Sequence, residues 1–209
     1  MDQWAAVAEE RRSLVGTFEG LTDEQWATPS LCGGWSVRQV LGHLVVAADP
    51  PTLRFGRELV RARGSFDRAN ARVAREEAER PVAELLADYR VLLTKRASPP
   101  GFGAEAPLTD ALLHGLDVRL PLGLPTERPV EHHVPAMDLL CSRRAALGFV
   151  PRGRPALRWV ATDLDWSHGT GPEVEGTMAD LMLAASGRRA LLDALAGPGA
   201  PALAAWLTR

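Results

Sequence analysis

The sequence predicts an α protein with a small α+β tail, built as a helical bundle to about residue 148 and then a smaller unit. Most of the bundle region falls into segments whose apolar residues recur at helical spacing, separated by loops rich in Pro and Gly. Residues 156–162 instead alternate in polarity and are partly β-branched or aromatic, which is typical of a strand. We therefore predict domains at 1–148 and 155–209.

The first helices are marked by amphipathic spacing and by capping patterns. Residues 3–19 predict an amphipathic helix, and Thr22 opens a capping box that predicts one short helical turn. Ser36 opens a second capping box, and the helix that follows runs to about Ala48. This helix is apolar nearly all round, so we expect it to be central in its domain, with Pro50-Pro51 ending it.

The remaining bundle helices are charged or amphipathic. Residues 52–79 are predicted to be helical with a break at Gly64-Ser65, and Pro81 fits the first turn of the next helix. Thr109 is a candidate N-cap for a helix over 110–120, and a further helix is predicted over 135–147.

The tail alternates turn and strand signals before it becomes helical again. A turn is predicted at 169–172 and a short partner strand at 173–176. Three further helices are expected at 177–186, 188–196 and 200–208.

Composition and charge exclude several functional classes. The net charge of −2 and the pI near 6.2 provide no basic field for nucleic acid or an anionic membrane, and no apolar stretch reaches membrane-spanning length. Cys32 and Cys141 form neither a disulfide framework nor a sulfur-rich zinc motif, and the N-terminus does not read as a signal peptide. We expect a cytoplasmic protein, monomeric or homodimeric, that acts on a small-molecule substrate.

Four polar residues form the strongest chemical signal. Asp110, His114 and Asp117 stand at i, i+4 and i+7, which places them on one face of a helix. If His43 converges on them from another helix, two imidazoles and a carboxylate make a three-ligand metal site with an open position. Asp117 would then accept from an imidazole N–H, or alternatively pair with an arginine such as Arg119.

Structural interpretations of the same residues remain open. A lone histidine on an apolar helix, such as His43, is more often a core residue than a ligand. Asp110 is equally well explained as a carboxylate favoured by the positive end of a helix dipole, with His114 on the surface.

The other candidates carry weaker signals. Cys32 precedes a helix N-terminus, where the pKa of a thiol can be lowered, but a small buried side chain is the simpler interpretation. His132 and His133 follow Glu131 in a polar segment and are expected to be exposed, and His168 is expected in a turn.

Three segments give the chain a family resemblance. They are W-x-x-P-S-L-C-x-G-W-S-V-x-x-V-L-x-H-L from Trp26 to Leu44, the segment from Asp110 to Gly123, and the tail from Ala161 to Gly176 with the following Leu181 to Arg188. In these segments the chain resembles the DinB-like, mycothiol-dependent maleylpyruvate isomerase family.

The resemblance implies both a fold and a site. The fold is an up-and-down four-helix bundle followed by a sterol-carrier-like α+β domain, and the site is a zinc ion held by His, Glu and His. His43 and His114 match the two histidines, whereas Asp110 stands where the family usually has Glu, one methylene longer. Arg188 resembles a C-terminal arginine that reaches the active site in the family, which implies a catalytic role.

The chemistry that the resemblance implies follows from the metal. Zinc, or another divalent metal such as nickel or manganese, would bind the thiol of mycothiol as thiolate. The thiolate would add to an activated double bond and leave after rotation, or stay attached in an S-transfer, while an arginine holds a substrate carboxylate. Two alternatives remain: a non-catalytic metal- or ligand-binding bundle, and a metal-dependent hydrolase that activates water.

Overall fold

The structure, a computed structural model, describes residues 1–48 and 52–208 and contains two compact units, Met1–Thr126 and Glu127–Arg209. It is mostly helical with a small three-stranded sheet in the second unit, which confirms the predicted fold class. The predicted helix end at Pro50-Pro51 lies outside the described residues. No helix within those ranges combines the length and apolar character needed to cross a membrane.

The first unit is a helical bundle. Its helices are α1 (Gln3–Glu19), α2 (Asp23–Ala27), α3 (Val37–Ala48), α4 (Thr52–Arg61), α5 (Phe66–Glu77), α6 (Val82–Val91) and α7 (Glu105–Arg119). Helices α1 and α3 each pack against both α6 and α7, and α5 packs on α3. Helix α3 is the central element that its apolar sequence predicted, because nearly all of its side chains are buried.

Local capping explains where the early helices begin. The Thr22 side chain accepts from the backbone of Gln25, whose own side chain accepts from Thr22, so the predicted capping box of α2 is confirmed. Ser36 and Gln39 make the same reciprocal pair ahead of α3. The predicted break between α4 and α5 is also present, with Gly64 in the left-handed region at φ 78°.

Helix α7 begins earlier than the sequence predicted, and this changes the setting of Asp110. The helix starts at Glu105, with Pro107 in its first turn, where a missing N–H costs no helical hydrogen bond. Thr109 is therefore not a cap, and its hydroxyl donates to the Glu105 carbonyl over 2.7 Å. Because Asp110 lies in the second turn, its interpretation as an N-terminal carboxylate is wrong.

The second unit begins ahead of the predicted boundary at 148–155. Helix α8 (Val130–Cys141) belongs to this unit and contains Pro135, followed by a 3-10 turn at Arg143–Leu147. The sequence predicted a helix over 135–147, but α8 begins five residues before Pro135, which lies inside the helix rather than in its first turn. The earlier start encloses His132 and His133, which are buried, so the prediction that they are exposed is wrong.

A three-stranded sheet follows in the order β2-β1-β3, formed by β1 (Arg158–Ala161), β2 (Ser167–His168) and β3 (Glu173–Gly176). Strand β1 pairs antiparallel with β2 and parallel with β3, which places His168 in a strand rather than a turn. Helices α9 (Met178–Ala185) and α10 (Ala200–Leu207) match the predictions.

The helix predicted over 188–196 is absent from the described structure, which has only a 3-10 turn at Leu192–Ala194. Gly187 and Leu191 adopt left-handed backbone at φ 90° and 62°, and this conformation interrupts a helix at both positions.

Candidate functional site

Two imidazoles converge on a single carboxylate oxygen in the first unit. The Nε2 atom of His43 lies 3.2 Å from Asp110 Oδ1, and the Nε2 atom of His114 lies 3.4 Å from the same oxygen. The two rings meet edge to face with their centroids 4.8 Å apart. The structure therefore brings together the three residues that the sequence proposed as metal ligands.

The three proposed ligands lie on two helices. His43 lies on α3, and Asp110 and His114 lie one turn apart on α7. Both histidine side chains are buried, at 7% exposure each, whereas Asp110 retains 22%. Of these three side chains, the carboxylate of Asp110 is the most exposed to solvent.

The outer nitrogen of each imidazole meets an oxygen. His43 Nδ1 lies 3.1 Å from Asn70 Oδ1 on α5, and His114 Nδ1 lies 2.9 Å from Asp117 Oδ2 on α7. Asp117 therefore takes the predicted role of acceptor for an imidazole N–H. Arg119 donates to hydroxyl groups of α1.

The loop between α2 and α3 covers the site with an indole. Gly34 takes φ 80°, a conformation that favours glycine, and turns the chain so that Trp35 follows. The Trp35 ring is buried, with its centroid 5.1 Å from that of His43 and 6.0 Å from that of His114. Because the Trp35 ring packs against both imidazoles, it limits their rotation and excludes water from that side.

A backbone hydrogen bond fastens this loop to α7. The N–H of Leu31 donates to the carbonyl of Asp117 over 3.0 Å. That carbonyl has no helical donor four residues later, because Pro121 carries no N–H. Asp117 therefore contacts the site with its side chain and the loop with its backbone.

The cluster is electrostatically coupled. Burial alone would raise the pKa of the Asp110 carboxyl, but the charge of His43 and the hydrogen bond and charge of His114 hold it well below its usual range. Burial alone would lower the pKa of His114, but the hydrogen bonds and charges of Asp110 and Asp117 raise it to about 9. The protonation of His114 is thus coupled to the charges of Asp110 and Asp117.

A second donor group overlaps the first. Within the described part of the chain, Cys32, His114 and Asp117 also offer ligand atoms within 4.8 Å of one another. The two groups share His114, and its Nδ1 is already at hydrogen-bond distance from Asp117. Asp110 lies beside the Nε2 atom of the same ring, so the two groups use opposite nitrogens of His114.

The other predicted residue, Arg188, lies in the second unit. It follows the C-terminus of α9, is half-buried, and donates from Nη1 to the carbonyl of Ser186 over 3.3 Å. Sequence reasoning missed Asn70 and Trp35 as parts of the site. An asparagine in a helix interior is unfavourable by propensity, and that was the one local signal for Asn70.

Comparison with known proteins supports the family resemblance. Residues 7–134 match the family model of the mycothiol maleylpyruvate isomerase N-terminal domain. Two crystal structures share the fold, one of the mycothiol-dependent maleylpyruvate isomerase and one of a histidine-to-alanine mutant of that enzyme. Each has a TM-score of 0.65 at 11% identity, with 95% of this chain and 92% of the other covered. No curated protein matches the chain.

Proposed function

Because the chain belongs to the mycothiol maleylpyruvate isomerase N-terminal domain family, we propose that it is a zinc-dependent enzyme that uses mycothiol as its thiol. The proposed reaction is cis–trans isomerisation of, or S-transfer to, a small electrophile that carries a carboxylate. The observation that carries the proposal is the convergence of His43 Nε2 and His114 Nε2 on one oxygen of Asp110.

The spacing of these atoms suits zinc. Two ligands at about 2.0 Å from a tetrahedral zinc ion lie about 3.3 Å from each other. The two nitrogen-to-oxygen distances, 3.2 and 3.4 Å, bracket that value. Two imidazoles and one carboxylate are a donor set typical of catalytic zinc, and three protein ligands leave one position open.

The surroundings support a reaction at that open position. A zinc ion held here would supply a Lewis acid on which a thiol loses its proton near neutral pH. Trp35 and the buried helix α3 close one side of the cluster, whereas Asp110 keeps a solvent-exposed edge. Substrate and thiol would enter at the edge of Asp110, and the buried side would keep water from the imidazoles.

Arg188 is proposed to hold the substrate carboxylate, on the strength of the family resemblance of its Gly-Arg segment. A guanidinium binds a carboxylate through paired, charge-assisted hydrogen bonds. Arg188→Ala should raise KM for a carboxylate substrate and leave zinc content unchanged. The adjacent, exposed Arg189→Ala is the matched control, and an equal effect of the two changes would contradict the role of Arg188.

Metal analysis joined to an activity assay tests the proposal. Zinc-reconstituted wild type should carry about one zinc ion per chain and should isomerise maleylpyruvate only when mycothiol is present. His43→Ala and His114→Ala should lose the metal, whereas His168→Ala, an exposed histidine of β2, should retain it.

Three results would overturn all or part of the proposal. A wild type without stoichiometric metal removes the metal site. Turnover that does not need a thiol favours the hydrolase alternative. Zinc binding without turnover of any thiol-acceptor substrate favours a non-catalytic metal-binding bundle.

A further inference from the structure

Two residues outside the proposed ligand set contact the nitrogens that face away from Asp110. Asn70 Oδ1 is 3.1 Å from His43 Nδ1, and Asp117 Oδ2 is 2.9 Å from His114 Nδ1. We infer that Asn70 and Asp117 are positioning residues, which keep the proton of each imidazole on Nδ1 and so present both Nε2 atoms to the metal. This inference rests on the proposed function.

The chemistry of the two acceptors fixes the position of the protons. An amide oxygen and an ionised carboxylate accept hydrogen bonds but do not donate them, so Nδ1 must be the donor in both contacts. A neutral imidazole with its proton on Nδ1 has its lone pair on Nε2. Both Nε2 atoms lie beside Asp110 Oδ1, and the two acceptors therefore select the tautomer that the proposed site needs.

The two acceptors are held by different means. Asp117 follows His114 by one turn on α7, is fully buried, and is fastened through its carbonyl to Leu31. Asn70 comes from α5, which packs on α3 beside His43. The ligands on α3 and α7 thus each have an acceptor fixed by packing, as required of groups that orient a metal ligand.

Asp117 is charged and Asn70 is neutral, so the loss of each acceptor should lower zinc affinity by a different factor. The carboxylate of Asp117 makes the imidazole of His114 a stronger base toward the metal, whereas the neutral amide of Asn70 mainly orients His43. The loss of Asp117 should therefore weaken zinc binding more than the loss of Asn70.

Zinc affinity provides the first test. Competition with a chromophoric chelator should show zinc affinity lower by about 10- to 100-fold in Asn70→Leu and Asp117→Leu, the range typical of such partners, with the larger loss in Asp117→Leu. Asn70→Asp keeps an oxygen acceptor and should restore binding. Asp193→Asn changes an exposed aspartate of the second unit and should bind zinc as the wild type does.

Proton positions in the wild type provide a second readout, which does not depend on the zinc affinity of any variant. In zinc-loaded wild type labelled with ¹⁵N-histidine, His43 and His114 should each show a hydrogen-bonded Nδ1–H signal. The His43 signal should be lost in Asn70→Leu and the His114 signal altered in Asp117→Asn. His43→Ala and His114→Ala assign the two signals.

The outcomes separate the two proposals. A wild type that binds no zinc overturns the proposed function. Zinc affinities of Asn70→Leu and Asp117→Leu that equal the wild-type affinity overturn only the positioning roles. A wild type in which Nδ1 of either histidine carries no proton overturns those roles without any variant.

Discussion

Gly42 lies against the backbone of Ala74, so closely that an added Cβ would come within 2.8 Å of the Ala74 carbonyl oxygen. This contact joins α3 to α5 beside the candidate site, because His43 follows Gly42 and Asn70 precedes Ala74 by one turn. Because Gly42 has no side chain, α3 and α5 approach closely enough for Asn70 to contact His43.

Gly42→Ala should separate these helices. The methyl group meets backbone atoms that cannot rotate away, so we expect the free energy of unfolding to fall by about 1–3 kcal/mol, the usual effect of overpacking. Zinc affinity should fall as well, because Asn70 moves away from His43. Denaturant unfolding and chelator competition measure the two effects.

Gly16→Ala is the matched control for this prediction. Gly16 lies in α1 with nothing within 4 Å of an added Cβ, and alanine there should stabilise the helix by about 0.4–1 kcal/mol. If Gly42→Ala proved as harmless as Gly16→Ala, the close packing of α3 on α5 would not be required.

Asp110→Glu tests the shorter carboxylate. The family resemblance implies Glu at this position, and the extra methylene lets the carboxylate reach further from α7. We expect zinc affinity to rise in Asp110→Glu and to fall in Asp110→Ala, measured by chelator competition. Asp138→Glu, at an exposed position of α8, should have no effect. Equal zinc affinity in all of these proteins would mean that Asp110 is not a ligand.

Cys32→Ser discriminates between the two overlapping donor groups. Since the proposed ligands are nitrogen and oxygen atoms, exchange of the Cys32 thiol for a hydroxyl should leave zinc stoichiometry and affinity unchanged. Cys141→Ser, in the second unit, is the control; burial raises the pKa of that thiol to about 11. Loss of zinc in Cys32→Ser alone would place the metal on Cys32, His114 and Asp117 instead.

The stability of the metal-free protein should depend on pH through His114 and Asp110. The folded-state pKa of His114 is raised from 6.5 to about 9, so its stabilising contribution is complete below pH 6.5 and lost as pH rises through 9. The pKa of Asp110 is lowered, so its contribution persists above its ordinary value of 3.8 and is lost only in stronger acid. The free energy of unfolding should fall from pH 6.5 to 9 by on the order of 2–3 kcal/mol.

Zinc should reverse this pH dependence. The metal replaces protons on the imidazoles, so its affinity increases as pH rises over the same interval. Urea unfolding of metal-free and zinc-loaded protein at several pH values measures both trends. In metal-free His114→Gln, the free energy of unfolding should no longer fall between pH 6.5 and 9. If it still falls in this variant, another group causes the pH dependence.

Features set by neighbouring residues were predictable from the sequence. The capping boxes at Thr22 and Ser36 depend on side chains three residues apart, and the apolar character of α3 made it central. Spacing on one helix likewise placed Asp110 and His114 together. Where two local signals competed, as Thr109 and Pro107 did at the start of α7, the sequence alone selected the wrong one.

Features set by packing between distant segments were not predictable in this way. Asn70 is the only asparagine in the chain, but its contact with His43 requires the approach of α5 to α3. Trp35 contacts both imidazoles only because its loop is fastened to α7. The spacing of apolar residues indicates which face of a helix is buried, but it does not give the distance to another helix.

The two contacts of Asp117 have a consequence for divergence among relatives. Its carbonyl accepts from Leu31 where Pro121 offers no helical N–H, and any residue at position 117 supplies that carbonyl. Only an oxygen-bearing side chain supplies the acceptor for His114. A relative with an apolar residue at position 117 would therefore keep the helical bundle, the loop before α3 and the packing of Trp35. It would lose the group that orients His114. Overall similarity of fold would then persist in proteins whose chemistry has changed, and the side chain at this single position would distinguish them.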